Sequence, residues 1–149
     1  MSDFQGASQI NLDEKGRLAI PVKHRDGLAA PSKGKLTMTA HPHGCLLLYP
    51  LAEWEPKREQ LNRFPSMNRE AATWKRLLMG FAEPCAMDNA GRVLISPELR
   101  NFAGIEKQIM FVGQGSHFEM WSYAAWQEQL KSITSGSAGL PPGTEDFYL

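Results

Sequence analysis

The sequence predicts a mainly β fold with short helices, of the α+β class, built from two similar halves about an approximate two-fold axis. Three observations predict it: a short motif occurs twice, alternating apolar and polar residues follow each occurrence, and each half is small. A unit of about 50 residues with three or four short strands buries too little apolar surface to fold alone. We therefore expect the halves to pair into a small β-barrel or sandwich whose remaining strand edges invite symmetric assembly.

The repeat is the strongest signal in the chain. Residues 13–21 read DEKGRLAIP and residues 88–97 read DNAGRVLISP, so Asp, Gly, Arg and Ile return at a constant offset of 75 residues, from 13 to 88 and from 17 to 92. Arg25 and Arg100 share that offset. Self-similarity at a fixed offset indicates repeated structural units. We place the first copy at 4–62, a connection at 63–87, the second copy at 88–131 and a C-terminal tail at 132–149.

Each copy begins with a glycine turn and a short alternating strand. Over residues 17–20, Leu18 and Ile20 share one face, whereas Arg17 and Ala19 share the other. A proline then ends the strand, because proline cannot donate to a sheet ladder. Two more strands and a closing helix follow in each copy: strands 36–39 and 45–49 with helix 52–61, and strands 108–112 and 117–121 with helix 124–131.

Caps and composition define the connection and the tail. Ser66 is placed to cap a helix that runs to about Leu78, with apolar residues on one face and Gly80 just beyond its end. The tail after residue 131 is rich in Gly, Ser and Pro, which predicts a mobile segment. We interpret its last residues, 147–149, as a frayed end rather than a docking segment.

Composition argues against several classes of protein. Of the 149 residues, 42% are apolar and 21% are charged, as in ordinary soluble domains. The longest apolar run, at 45–49, is far shorter than the roughly 20 residues of a membrane-spanning helix, and residues 1–8 lack the features of a signal peptide. Two cysteines cannot form a disulfide framework. We expect a cytoplasmic protein with free thiols and no membrane partner.

Charge is distributed unevenly, although 16 basic residues balance 16 acidic ones. Residues 1–80 contain 12 Lys or Arg and 8 Asp or Glu, whereas residues 81–149 contain 4 and 8. Segment 13–25 has a net charge of +2, and the matching segment 88–100 is neutral. Such an imbalance is commonly just a solvated surface, but it also fits a chain in which one half faces an anion.

The positive segment contains the candidate contacts to double-stranded DNA. Arg17 leads them, because it projects from the solvent face of a strand directly after a glycine turn. A guanidinium binds phosphate, or O6 and N7 of guanine, through two hydrogen bonds, and a two-stranded ribbon fits the major groove. The candidate DNA-binding residues are Lys15, Arg17, Lys23, His24 and Arg25.

The repeated motif also has a purely structural interpretation. The aspartate can cap the turn through its own backbone while the arginine folds back to pair with it. Its presence in both copies supports that interpretation, because the second copy has little surrounding positive charge. Asp13 and Asp88 are therefore interpreted as mainly structural, and Arg17 as either a turn staple or a contact residue.

The sequence predicts neither a metal site nor a catalytic site. His41, His43 and Cys45 alternate, but their spacing does not match zinc-ligand pairs, and the intervening Pro and Gly indicate a turn. Cys85 is interpreted as a small buried residue rather than a nucleophile. Nucleophile-elbow, Walker-loop and His-Glu-x-x-His motifs are missing from the sequence. We expect no cofactor and no enzymatic activity.

Five blocks of the sequence carry a family resemblance. They are DxKGRLxIP at 13–21, CLLLYPxxEWE at 45–55, RLLxG at 76–80, DxAGRVLIxPxLR at 88–100 and FExW at 118–121. Together they resemble the MraZ family of bacterial transcriptional regulators over about residues 4–130. The family's hallmark is a paired Asp-x-x-x-Arg motif, which Asp13 with Arg17 and Asp88 with Arg92 match.

The resemblance implies a fold and a function. Each half would adopt the swapped-hairpin fold shared with AbrB-type regulators and MazE-type antitoxins, and the chains would form a ring-shaped homo-oligomer. The ring would bind short repeated DNA boxes upstream of its own operon, in the division and cell-wall gene cluster, and repress it at the nucleoid. Lys15 and Arg25 match basic positions of the family, whereas Ala90 replaces a lysine and makes the second copy the poorer DNA candidate.

Two other function classes stay open at the level of sequence. An antitoxin on the same fold would wrap a toxin with an extended C-terminal segment, whereas this tail is short and the domain is duplicated. A structural assembly module without a DNA role would lose stability or assembly on Arg17→Ala, without any effect on DNA. An enzyme is the least favoured class.

Overall fold

The computed structural model describes residues 3–136 and 139–148. The strands are β1 (Ala7–Asn11), β2 (Arg17–Ala19), β3 (Lys35–Ala40), β4 (Leu46–Pro50), β5 (Glu83–Ala86), β6 (Arg92–Leu94), β7 (Gln108–Gly113) and β8 (Phe118–Ser122). The helices are α1 (Val22–Ala29), α2 (Leu51–Asn62), α3 (Arg69–Gly80), α4 (Pro97–Ala103) and α5 (Tyr123–Thr134), with a 3-10 turn at Ala30–Ser32. The strands pair antiparallel.

The two copies exchange strands. In a six-stranded sheet of order β1-β7-β8-β4-β3-β5, β1 pairs with β7 of the second copy, and β5 pairs with β3 of the first. Strands β2 and β6 form a separate two-stranded ribbon. Exchanging each strand for its counterpart in the other copy (β1 for β5, β2 for β6, β3 for β7, β4 for β8) leaves both strand orders the same. An approximate two-fold axis therefore passes between β4 and β8 and through the ribbon. This confirms the predicted α+β class and the swapped, pseudo-symmetric halves.

The main core lies between the six-stranded sheet and the ribbon. Leu18 and Val93 of the ribbon are fully buried, as are Ile20 and Ile95 just beyond it. They pack against one face of the large sheet, which contributes Leu36, Met38, Leu46, Leu48, Ile109, Phe111, Phe118 and Met120. Burial of these alternating residues leaves the other face of the ribbon to solvent.

Helices α2, α3 and α5 cover the opposite face of the large sheet. On the first-copy side, Leu47 and Tyr49 of β4 pack with Trp54 and Leu61 of α2. On the second-copy side, Trp121 of β8 belongs to a smaller buried cluster, against which Ala125 and Trp126 of α5 pack. The ribbon and these three helices therefore lie on opposite sides of the sheet. Among the described residues, no helix combines the length and apolar character of a bilayer-crossing segment.

Two helices depart from the sequence prediction, which has none after Pro21 or Pro97. Helix α4 has Pro97 at its first position, Ser96 as N-cap and Gly104 in a left-handed conformation at its end, all ordinary boundary signals. The prediction takes Pro97 only as the end of a strand, although Ser96, Pro97 and Gly104 also carry the signals of a helix start and end. Helix α1 begins after Pro21 and buries only Leu28, so its sequence lacks the apolar periodicity that reveals a helix.

Two strands also depart from the prediction. Strand β1 alternates exposed and half-buried residues, and β5 contains Pro84, which is tolerated because β5 is an edge strand. Strand β5 lies inside the segment assigned as a connection, 63–87, and has the same place in the second copy that β1 has in the first. The repeat boundaries themselves stay a prediction.

Helix boundaries differ at α3 and α5. Helix α3 begins at Arg69, because Asn68 rather than Ser66 is the N-cap and accepts a hydrogen bond from the Ala71 amide at 2.9 Å. Helix α5 runs through Thr134, so the first residues of the predicted tail are helical. Met1, Ser2, Ser137, Ala138 and Leu149, which include parts of the predicted tail and apolar terminus, lie outside the described residues.

Candidate nucleic-acid interface

One carboxylate organises the first hallmark loop, residues 13–16. Oδ1 of Asp13 accepts hydrogen bonds from the amides of Lys15 and Arg17, both at 2.9 Å, and Oδ2 accepts one from Nε of Arg17 at 2.7 Å. Gly16 has φ +82°, a left-handed conformation that favours glycine. Asp13 therefore fixes both the turn and the direction of the arginine that follows it.

The second loop, residues 88–91, repeats this geometry. Asp88 accepts hydrogen bonds from the amides of Ala90 and Arg92 and from Nε of Arg92, each at 2.9 Å, and Gly91 has φ +76°. The turn staple considered at the sequence level is thus present in both copies. It engages only Nε of each arginine, and a guanidinium has four further N–H donors on its terminal nitrogens.

Hydrogen bonding lowers the pKa of both aspartates. For Asp13 the Arg17 amide contributes most, and for Asp88 the Arg92 amide does. Desolvation acts against this lowering in both loops. Both carboxylates are therefore ionised at neutral pH, and each remains a fixed negative partner for its arginine.

The two loops meet at the ribbon. Arg17 lies opposite Leu94 in the β2–β6 register, and Ala19 lies opposite Arg92. These four residues form the solvent side of the ribbon, which we call the ribbon face. Nη1 of Arg17 also lies 3.9 Å from Oδ2 of Asp88, so Arg17 contacts the carboxylates of both loops. The ribbon face thus presents one arginine from each copy, related by the approximate two-fold axis.

Two further arginines cross between the copies. Nε of Arg25 donates to the Ile20 carbonyl at 2.8 Å, and its side chain lies against Gly91 of the second loop, where a Cβ would overlap it. Nε of Arg100 donates to the Ile95 carbonyl at 3.0 Å, and a Cβ at Gly16 would come within 2.9 Å of its Cζ. Each loop therefore packs against an arginine of the other copy.

This crossing redistributes the local charge. Residues 13–17 together with the neighbouring Arg100 have three basic and two acidic side chains. Residues 88–92 together with the neighbouring Arg25 have two basic side chains and one acidic one. Both surroundings have a net charge of +1, so the contrast between segments 13–25 and 88–100 is not a contrast between the two loops. Two charged residues distinguish the first loop: Lys15, which has Ala90 as its counterpart, and Glu14, which has Asn89.

The other candidate residues occupy different environments. Lys15 and Lys23 are exposed, the latter in the first turn of α1. His24 is half-buried, with its ring centroid 4.8 Å from that of Phe118 and 6.1 Å from that of Phe4. Desolvation, with a smaller contribution from Lys23, lowers the pKa of His24. His24 therefore packs into the core edge, whereas Lys15 and Lys23 are open to solvent.

The His41–Cys45 segment forms the predicted turn. The Gly44 amide donates to the His41 carbonyl, and the His41 amide donates to the Cys45 carbonyl, both at 2.9 Å. Cys45 is fully buried, and burial raises its thiol pKa. Cys85 is half-buried, and burial raises its pKa to about 12. Over 3–136 and 139–148, no three His, Cys, Asp or Glu side chains are grouped to hold a metal ion.

Sequence reasoning missed two features of this interface. The packing of Arg100 against the first loop follows from strand exchange, although its shared offset with Arg25 was a usable signal. Leu94 is 56% exposed on the ribbon face, and the alternation of residues 92–95 predicts only that its side chain lies on the face opposite Val93. Its position opposite Arg17 depends on the register between the copies, for which the sequence offered no signal.

Comparison with known proteins assigns the chain to a family. A family model described as "MraZ protein, putative antitoxin-like" matches residues 4–77 and 78–139. A protein of Methylobacillus flagellatus named Transcriptional regulator MraZ is 55% identical over 147 residues, which are 98% of this chain and 99% of that protein. Proteins of the same name from Azoarcus sp. and Dechloromonas aromatica are 50% and 51% identical, with the same coverage. The chain is therefore a member of the MraZ family.

Proposed function

We propose that this protein is a sequence-specific DNA-binding transcriptional regulator, and that the ribbon face is its DNA-binding surface. The relatives named as transcriptional regulators support the regulatory role. The observation that carries the DNA interface is the pair of arginines on the ribbon face, one from each copy, each held by an aspartate through Nε. The role needs no enzymatic activity and no cofactor.

The geometry suits base recognition in the major groove. A two-stranded antiparallel ribbon enters that groove, and an arginine fork matches O6 and N7 of guanine. Because the aspartates hold Arg17 and Arg92 in place before binding, less side-chain freedom is lost on contact with DNA. Lys15 and Lys23, which are exposed near the first loop and at the start of α1, supply phosphate contacts that position the ribbon.

Assembly into a ring strengthens this weak single interface. One ribbon face makes few contacts, so its affinity alone is low. Several ribbon faces at fixed spacing on a homo-oligomeric ring, meeting several repeated promoter boxes, convert later contacts into intramolecular ones and raise the overall affinity. In this proposal the ring acts in the cytoplasm at the nucleoid, on boxes upstream of its own division and cell-wall operon, as a repressor.

Fluorescence anisotropy with a duplex from upstream of the gene tests the proposal. Arg17→Ala should abolish measurable binding, because one bidentate base contact is worth about 1–3 kcal/mol and the loss recurs in every subunit. Arg92→Ala should be milder, since Ala90 beside it cannot contact a phosphate as we propose that Lys15 does beside Arg17. Wild-type affinity should also fall steeply with salt through counterion release.

The matched control is Arg69→Ala, which removes the same charge from exposed α3 on the opposite side of the sheet. Melting temperature and oligomer mass should be close to wild type in all three variants. An Arg69→Ala effect as large as that of Arg17→Ala would reject the ribbon face, and equal losses from Arg17→Ala and Arg92→Ala would reject the difference between loops. Co-purification of a second small protein, without DNA binding, would favour the antitoxin alternative.

A further inference from the structure

An exposed leucine stands on the ribbon face among the arginines. Alternation in β6 directs Val93 into the core and Leu94, which is 56% exposed, to solvent. The matching position of the first copy is Ala19, also exposed, so the fold does not require a large side chain there. A single exposed leucine is ordinary on a protein surface. Its register and its neighbours are what distinguish Leu94.

Leu94 lies directly opposite Arg17 in the antiparallel ribbon. Side chains in such a pair have Cβ atoms about 4.5–5.5 Å apart, which is between one and two of the roughly 3.4 Å steps between stacked bases along one strand. Two side chains at this separation reach the same base pair or adjacent ones when the ribbon enters a groove. The base contacted by Arg17 therefore determines where Leu94 falls on the DNA.

We propose that Leu94 contacts the 5-methyl group of a thymine next to the base that Arg17 binds, and so helps to determine which boxes the protein selects. This inference rests on the proposed function of the ribbon face. The thymine methyl is the apolar group on the major-groove edge of the bases, and apolar side chains read it by contact. Ala19 opposite Arg92 presents a shorter apolar side chain, so the two ends of the ribbon differ in this contact.

Replacement of thymine by deoxyuridine in the promoter duplex tests the contact, because it removes the methyl group and keeps the base pair. Wild-type protein should bind the deoxyuridine duplex about fourfold more weakly per contacted site, which corresponds to about 0.8 kcal/mol for one buried methyl-sized group. Leu94→Ala should bind both duplexes alike. The control Ile133→Ala removes another exposed apolar side chain, 62% exposed on α5 across the sheet, and should keep the wild-type difference.

The outcomes separate this inference from the proposed function. Wild-type binding of both duplexes with equal affinity would overturn the thymine contact and leave DNA binding intact. Failure of wild-type protein to bind any upstream duplex would overturn the proposed function itself. A change of oligomer mass in Leu94→Ala, with an unchanged preference for thymine, would assign Leu94 to an interface between subunits and reject its contact with DNA.

Discussion

Asp13 and Asp88 each join a turn to an arginine through a single carboxylate. Each accepts two backbone amides and one guanidinium N–H. The two interpretations of the hallmark motif are thus compatible at the residue level, because the staple uses Nε and leaves the outer edge of the guanidinium for an acceptor. The staple orients the arginine that we propose for contact.

The lowered pKa of Asp13 predicts a pH-dependent contribution to stability. Its ordinary pKa is 3.8, and the folded value lies below it. The stabilisation is therefore fully present above the unfolded-state pKa and is lost as pH falls through the folded one. Asp13→Asn should lower the free energy of unfolding at pH 7, and its difference from wild type should disappear in strong acid, as measured by urea denaturation at a series of pH values.

Glu14→Gln is the matched control for this experiment. It removes one negative charge from an exposed position of the same loop and should change the free energy of unfolding little at pH 7. An Asp13→Asn variant as stable as wild type at pH 7 would contradict the structural role of the carboxylate.

At the scale of elements, what the sequence revealed depends on how local each signal is. The offset of 75 residues located both hallmark loops, and alternation located the ribbon strands with Leu18 and Val93 inward. Both signals lie within a few neighbouring residues. The packing of Arg25 against Gly91 joins positions far apart in the chain, so no local pattern reveals this contact. A count of charge by segment assigns Arg25 to the first loop, whereas its side chain lies beside the second.

Glycine substitutions measure this crossing between elements. Gly91→Ala and Gly44→Ala both place alanine at a positive φ, +76° and +93°, which costs about 1–2 kcal/mol. A Cβ at Gly44 meets no atom within 4 Å, whereas one at Gly91 overlaps the Arg25 guanidinium. Gly91→Ala should therefore lower the free energy of unfolding more than Gly44→Ala does, in chemical denaturation at neutral pH.

A double variant completes that comparison. Combining Arg25→Ala with Gly91→Ala should cost less than the sum of the two single changes, because the overlap is gone when the guanidinium is absent. Simple additivity would show that Arg25 moves aside without cost and that the two elements are not coupled.

At the scale of the whole molecule, each copy completes the sheet of the other. The sequence predicted two halves too small to fold alone. In the structure, three strand pairs join the copies: β1 pairs with β7, β3 with β5, and β2 with β6. The order of the strands in the sheet was not predictable, because it depends on pairings between distant residues. The main core is likewise shared, since Leu18 and Val93 pack into one cluster.

A divided chain tests this dependence. Fragments 1–81 and 82–149, separated between α3 and β5, should each lack a folded monomeric state, because neither retains the partners of its edge strands. Mixed together, they should form a folded complex whose circular dichroism matches that of the intact protein. Size-exclusion mass and thermal unfolding at several concentrations provide the measurement, and a stable folded monomer of either fragment would contradict the prediction.

Strand exchange also sets the order of events during synthesis. Strand β1 emerges from the ribosome roughly 100 residues before β7, its neighbour in the sheet order, a delay of about 5–20 s at ordinary translation rates. Throughout that interval its hydrogen-bonding edge is open, and the first half of another nascent chain offers a matching surface. Neighbouring ribosomes on one messenger RNA hold two nascent chains close together. Pairing of β1 with the other chain therefore competes with its later pairing with β7 of its own chain.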